Sequence, residues 1–533
     1  MRILKKNIPL NRVIQTPKLD IRLILVLITY IILGIILFRY YQYQINNDGI
    51  GYISTAKSYM SGNFYGSISD YWGPLFSWLM MPFLFFGQTP VTALHSTKIL
   101  SLILGFFTIV GLRQLSYRFD MDEVVRTVVL FTMVPVVLYF ALSLITPDLL
   151  MVCVLVYYLA IIFNPKYPNK LSNGVLCGIF GALAYLTKSY GFTFFIASFL
   201  ILNFLQYFRD SDKIKRRKVL KNLILGFTVF LAISGVWIGL ISNKDAKLTF
   251  GTAGEFNHAL VGPQSQGFAE YSQGISKPGQ VNPNFVPKPW SPFSSWSNFK
   301  YQLNLIWNNT LKIGVILNYF SYLSLLIILA YILMCIQPPR KLISQNQVLY
   351  PLVTVLICAA GYVMILVEER YIWLIYVLLI LMGGYLINLL FKTDFFTKAK
   401  FGSMRKVVKA VLLLVFAVSF ITMPASYLVG NVHTGEDIYN LSNNLMNQYG
   451  VHGNVATNDR LTDLNYLAYY MNITLYGQAQ KNISSEELQN ELKEYGINYY
   501  FVWGSNQSIN LTGYNDVTNG KIKDLKIYSS HLS

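Results

Sequence analysis

Residues 23–49 read LILVLITYIILGIILFRYYQYQINNDG. The leading part of this stretch is apolar over a length that crosses about 30 Å of hydrocarbon as a helix. It begins near Leu23, after Arg2, Lys5 and Lys6, and no small-residue cleavage site follows it. It therefore reads as a retained span and not as a signal peptide. The run gives way to Asn46-Asn47-Asp48-Gly49, which sets an acid at the membrane face just where the span ends.

Comparable runs recur down the chain. Eleven candidate spans lie at about 23–43, 96–112, 127–145, 149–163, 173–187, 190–208, 222–241, 313–336, 347–367, 371–391 and 409–430. Composition agrees: of 533 residues, 54% are hydrophobic and 13% charged, with a mean hydropathy of +0.43. That is too apolar for a soluble protein and fits a polytopic α-helical membrane protein.

The net charge of +18 raises the question of nucleic acid, and its distribution answers no. The cations gather in short loops: Arg2, Lys5, Lys6, Arg12, Lys18 and Arg22 at the start; Arg209 to Lys221; Lys392 to Lys409; and smaller groups at Arg113, Arg118 and Arg126, at Lys166 and Lys170, and at Arg340 and Lys341. With eleven spans all six groups fall on one side, which the positive-inside rule makes cytoplasmic. The N-terminus is then inside and the C-terminus outside. Cys153, Cys177, Cys335 and Cys358 all lie in apolar runs, with neither metal-ligand spacing nor a disulfide framework.

Three long segments face outward on this topology. Residues 44–95 are rich in aromatics, and their apolar run Pro74 to Phe86 is too short to span, so it belongs in the interface. Residues 242–312 are dominated by Gly, Pro, Ser, Asn and Gln and read as a long functional loop. Residues 431–533 read as a small α/β domain attached to a membrane domain of residues 1–430. Val451–Asn458 and Ile497–Trp503 look like strands, and Ser484-Ser485-Glu486-Glu487 is a capping box opening a helix through Glu494.

The out-of-place charges share this outer face: Asp48, Asp148, Lys188, Glu368, Glu369 and Arg370. Asp48 is either a solvated loop acid or a carboxylate placed to take a proton or hold a cation. In Thr146-Pro147-Asp148 the acid has an ordinary reason to exist, as the first turn of a helix with Pro at its start. A carboxylate so fixed can also face a cation. Lys188 lies in a tight outer turn, on the side positive-inside disfavours; it is a snorkelling lysine or the partner of an anion such as a lipid phosphate. Arg370 in Glu368-Glu369-Arg370-Tyr371 is a local salt bridge or a two-pronged phosphate clamp. Tyr52 and Trp72 are candidates for contacting substrate, against the alternative of interfacial packing. His258 is a weaker candidate base or metal ligand. No Gly-rich nucleotide loop is present.

In order and placement these pieces resemble the membrane-embedded GT-C glycosyltransferases, in particular the protein-mannosyltransferase-like group that includes the aminoarabinose transferases of lipid A. The resemblance spans about residues 23–400. It is carried by Asn47-Asp48-Gly49 with Tyr52, Trp72-Gly73-Pro74-Leu75, Thr146-Pro147-Asp148, Leu183 to Lys188, and Glu369-Arg370-Tyr371. Many relatives have Asp-Glu where this chain has Asp48-Gly49, and some have Lys before Pro-Pro-Leu where it has Trp72-Gly73-Pro74-Leu75. The resemblance implies a hexosyl- or pentosyltransferase with a polyprenyl-phosphate sugar donor and inversion at the sugar carbon. Asp48 would be the base, Asp148 would position a divalent cation (Mg or Mn) or the reacting groups, and Lys188 and Arg370 would hold the donor phosphate. The lipid chain would lie between spans, with loop 242–312 closing over the site. The acceptor, whether protein, lipid or glycan, is left open.

Two other classes compete. A flippase for lipid-linked sugars calls for charges within spans and often an inverted repeat, and the sequence shows neither. An assembly protein recruiting partners through its C-terminal domain leaves the outer charges without a role.

Overall fold

A computed structural model describes residues 20–209, 211–265, 274–278, 287–336, 345–393, 404–504 and 511–530. Arg2, Lys5, Lys6, Arg12, Lys18, Arg340, Lys341, Lys398 and Lys400, and parts of 242–312, lie outside them.

The helix Trp373–Leu390 is apolar on every side, as a helix surrounded by others must be. Around it pack the helices Glu123–Ser143, Asp148–Ile162, Leu323–Ile336, Gln345–Val363 and Met404–Gly430. At the periphery the first helix, Ile21–Tyr41, buries only 17% of its apolar window and turns its Ile and Leu residues outward, as a lipid-facing span does. Where two helices approach most closely the chain uses glycine. A Cβ on Gly178 would stand 2.3 Å from the carbonyl oxygen of Gly226, so the helices Ser172–Thr187 and Lys213–Lys244 meet backbone to backbone.

Among the described residues, eight helices are long and apolar enough to cross a membrane, and nine if the bent pair Trp296–Phe320 and Leu323–Ile336 is one span. The runs expected at 149–163 and 173–187 form helices of 15 and 16 residues, Asp148–Ile162 and Ser172–Thr187. At 1.5 Å per residue both fall short of the hydrocarbon thickness. The expected single span 313–336 is broken. Ser321 is extended, its hydroxyl accepts from the Leu323 amide at 3.2 Å, and the two helices diverge by 115°. Ser321 thus ends one helix and caps the next. Another departure is Lys98, inside the expected span 96–112, which is 1% exposed and has no ion pair among the described residues.

The described parts of segments 44–95 and 242–312 contain more helix than expected. Asp48 is in the first turn of a helix, Asn47–Met60, not in a loop. The apolar run after Pro74 forms the ten-residue helix Leu75–Leu84. Segment 242–312 contains the helix Ala253–Leu260 and the beginning of the helix Trp296–Phe320, which starts well before the apolar run.

The C-terminal region is α/β. Its sheet has the order β1-β3-β2-β4-β6-β5, with β1 Gly274–Ile275, β2 Asn454–Thr457, β3 Thr474–Gln478, β4 Tyr499–Trp503, β5 Asn515–Asp516 and β6 Leu525–Ser529. β2 runs parallel to β3 and β4, and the remaining pairs are antiparallel. β4 is a continuous apolar run because both its faces are covered. Phe501 packs with Leu464 and Leu467 of the helix Leu461–Met471, whereas Tyr500 and Val502 pack with Leu488 and Leu492 of the helix Ser485–Glu494. The capping box of that last helix forms as read: Ser484 accepts from the Glu487 amide at 3.2 Å and donates its own amide to the Glu487 carboxylate at 3.1 Å. β1 comes from segment 242–312, which therefore contributes a strand to the C-terminal sheet.

Candidate active site

Charged groups collect at the two ends of the helix bundle. At one end Arg113 pairs with Asp20 at 2.5 Å and Glu123 at 2.8 Å, Arg126 pairs with Glu123, and Lys392 and Lys409 pair with Asp120 and Asp122. This is the end of the basic clusters. At the other end lie Asp48, Asp148, Lys188, Glu368 and Arg370, in a single cluster.

Backbone contacts bring them together. The Asn46 side chain brackets Ile145, accepting from its amide at 2.8 Å and donating to its carbonyl at 3.4 Å. That fixes the start of helix Asn47–Met60, with Asp48, against the turn that leads to Asp148. The Lys188 turn is held by Gly73, where a Cβ would fall 2.4 Å from the Thr187 carbonyl oxygen. A backbone oxygen cannot rotate away, so Gly73→Ala is expected to destabilise the fold by about 1–3 kcal/mol through overpacking. Thermal unfolding of the purified variant checks it, and an unchanged Tm would mean the two turns separate freely.

Arg370 is the hub. Its Nε donates to Glu368 Oε2 at 2.7 Å and lies 3.9 Å from Asp148 Oδ2, and an Nη1 hydrogen bonds Asp48 Oδ2. Lys188 Nζ donates to Asp148 Oδ1 at 2.7 Å and sits 3.7 Å from the centre of the Tyr371 ring. Asp148 is 4% exposed by its side chain, and its Oδ2 has no hydrogen bond among the described residues. Donors remain to spare. Among the described residues Lys188 uses one of its three N–H groups in a hydrogen bond, with the Tyr371 ring beside it, and the Nη2 of Arg370 makes none. Asp48 is the more open carboxylate, 37% exposed, with Oδ1 unbonded among the described residues.

Both sequence alternatives for Arg370 are therefore realised in part: it makes the local bridge to Glu368, and it also reaches Asp48, 322 positions away in sequence. Glu369 turns away to accept from the Tyr139 hydroxyl at 2.7 Å. Tyr52 and Trp72 lie beside the cluster, ring centres 4.1 Å apart. Tyr52 is buried, and burial together with Asp148 and Asp48 pushes its phenol well above the ordinary range. It stays neutral and packs. Trp72 packs against Tyr52 and Gly51. His258 does not join: it bonds Gln302 at 2.9 Å and stacks on Trp290 at 4.4 Å. Asn46, which the sequence marks only as a neighbour of Asp48, takes part as the bracket, and Glu368, not the adjacent Glu369, is the acid that meets the guanidinium. An asparagine before an acid carries no signal of its bracket until the turn at Ile145 is placed.

The donor set does not fit a resident divalent cation at Asp148. Asp48, Asp148 and Glu368 each face the Arg370 guanidinium, Asp148 also pairs with the Lys188 ammonium, and among the described residues no three His, Cys, Asp or Glu side chains converge as ligands.

Neither a family model nor a curated protein sequence matches this chain. Its fold, however, is shared with solved GT-C glycosyltransferases. ArnT from Cupriavidus metallidurans in the apo state superposes with a TM-score of 0.55 at 12% identity, over 94% of this chain and 97% of that one. The same protein bound to undecaprenyl phosphate gives 0.55 at 12% identity, over 95% and 98%. The archaeal oligosaccharyltransferase AglB from Archaeoglobus fulgidus, in complex with an inhibitory peptide and a dolichol-phosphate, gives 0.54 at 10% identity, over 90% and 69%. The chain thus has the GT-C fold.

Proposed function

We propose that this chain transfers a sugar from a polyprenyl-phosphate donor to an acceptor, with inversion, at the membrane face that carries the Asp48–Arg370 cluster. The observation that carries this reading is a pair of cations with unused donors, Lys188 and Arg370, set beside an open carboxylate, Asp48, at one end of a GT-C fold. Two of the similar structures hold undecaprenyl phosphate or a dolichol-phosphate, which supports a lipid phosphate as the group those cations meet.

The chemistry follows from charge. Asp48 takes the proton of the acceptor hydroxyl as its oxygen attacks the sugar carbon. The bond from that carbon to the phosphate oxygen breaks, and the electron pair leaves with the polyprenyl phosphate. The phosphodiester carries one negative charge and the departing monoester more, so Lys188 and Arg370 favour the transition state over the bound donor. Asp148 holds Lys188 in place. Transport without transfer is the weaker reading: it uses the two cations but leaves the open carboxylate of Asp48 beside them without a role.

The test is to incubate the purified protein with a panel of polyprenyl-phosphate sugars and membrane extract, and to follow free polyprenyl phosphate. Release with at least one donor supports the reading; none with any donor contradicts it.

The cluster's face is read as extracytoplasmic from the basic residues at the opposite end. Cysteines introduced at Lys481 and Lys218, in a background lacking the exposed Cys335, check this with an impermeant thiol reagent. Position 481 is expected to label in intact cells and position 218 only after lysis. The reverse pattern would invert the topology.

A further inference from the structure

We infer that Tyr466, on the C-terminal helix Leu461–Met471, lines the acceptor side of the Asp48 site and hydrogen-bonds a hydroxyl-bearing acceptor. The inference rests on the transfer reading above and assigns the C-terminal region a part in it.

The region is docked by aromatic contacts at the outer end of the first helix. Tyr439 stacks on Tyr43 at 4.1 Å, Tyr470 donates its hydroxyl to the Tyr43 carbonyl, and Tyr469 donates to the Pro90 carbonyl at 2.7 Å. Gly435, at φ +86°, backs so closely on Tyr43 that a Cβ would sit 2.3 Å from its carbonyl oxygen. These contacts fix helix Leu461–Met471 against the start of helix Asn47–Met60. At that junction Asn465 Nδ2 donates to Asn47 Oδ1 at 3.0 Å, one residue before Asp48. The next residue, Tyr466, packs partly buried against the membrane body. Its hydroxyl makes no hydrogen bond among the described residues, and with burial foremost, Asp463 and Asp48 help hold the phenol above its ordinary range.

Arg370, itself paired with Glu368, meets Asp48 at one carboxylate oxygen, and the leaving phosphate belongs beside that guanidinium. Inversion requires the acceptor to enter opposite the leaving group, in line with the bond that breaks. The helix Leu461–Met471 meets Asn47, the residue before Asp48, and Tyr466 carries a hydroxyl there that no described residue bonds. A phenol in that position orients the acceptor oxygen toward the carboxylate. It is a contact for substrate, not the proton acceptor.

Tyr466→Phe tests the inference, because the ring and its packing stay and only the hydroxyl goes. The full chain is assayed with a donor that wild type turns over, titrating detergent-solubilised membrane extract as the acceptor source. The expected result is an unchanged Tm, a half-saturating extract concentration raised about three- to tenfold, as for one neutral hydrogen bond, and an unchanged half-saturating donor concentration. A shift confined to the donor, or no shift in either, overturns the inference while leaving the transfer reading intact. Absence of turnover in wild type with every donor overturns the transfer reading, and this inference with it.

Discussion

Asp48→Asn is expected to lower turnover by about 10²- to 10⁴-fold, the usual contribution of a general base, while the protein stays folded. Asn keeps the size and the position in the first helical turn, and Arg370 retains Glu368 as a partner. What is lost is the capacity to take a proton. Asp48 is the cleaner of the two acids to test. Asp148 is almost fully buried and pairs with Lys188 at 2.7 Å, so Asp148→Asn strips a counter-charge from inside the protein. Breaking a buried pair on one side costs about 3–5 kcal/mol, and lost activity there would be mixed with lost fold. Turnover per folded molecule, with folding followed by size-exclusion profile and Tm, makes the comparison. Near-normal turnover in Asp48→Asn would remove this residue from the mechanism.

The second large effect is expected at Arg370. Arg370→Ala should reduce turnover by about 10²- to 10³-fold, as removal of a preorganised transition-state donor does, with a smaller change in donor affinity. Arg370→Lys keeps the charge and loses the fork, and should still fall well below wild type. The guanidinium reaches Asp48, Glu368 and Asp148 from one position, and an ammonium cannot span all three. If Arg370 only ties the turn to Glu368, both variants lose some stability and the molecules that remain folded turn over at the wild-type rate. Steady-state kinetics of both variants, normalised to folded protein, separate the two views.

Much of this is legible in the sequence, for a physical reason. A charge next to an apolar run is conspicuous, so Asp48, Asp148, Lys188 and Arg370 stand out in the chain itself. Long apolar helices announce themselves in the same way. The rest depends on contacts distant in sequence. The break at Ser321 lies within a run, 313–336, that carries no charge; only Asn318, Ser321 and Ser324 mark it, and there the Ser321 hydroxyl accepts from the Leu323 amide. Asp48 reads as a loop acid because Asn47, Gly49 and Gly51 are poor helix formers; packing overrides that preference, with Gly49 against Ile145 and Gly51 against Trp72. β1 is two residues long, too short for any periodicity, and exists because β3 offers an edge. His258 is a candidate for its chemistry alone, whereas its partners Gln302 and Trp290 give it a packing role.

The central claim is that Lys188 and Arg370 together receive a lipid-linked phosphate. Binding of undecaprenyl phosphate to the purified protein, followed by thermal stabilisation against uncharged undecaprenol as the control, tests it most directly, since a ligand that binds only the folded state raises stability in step with its affinity. The phosphate is expected to raise Tm in wild type, undecaprenol to do so much less, and the difference to shrink in both Lys188→Met and Arg370→Lys. Equal shifts for the two lipids in wild type, or a phosphate-specific shift that survives in both variants, would contradict it.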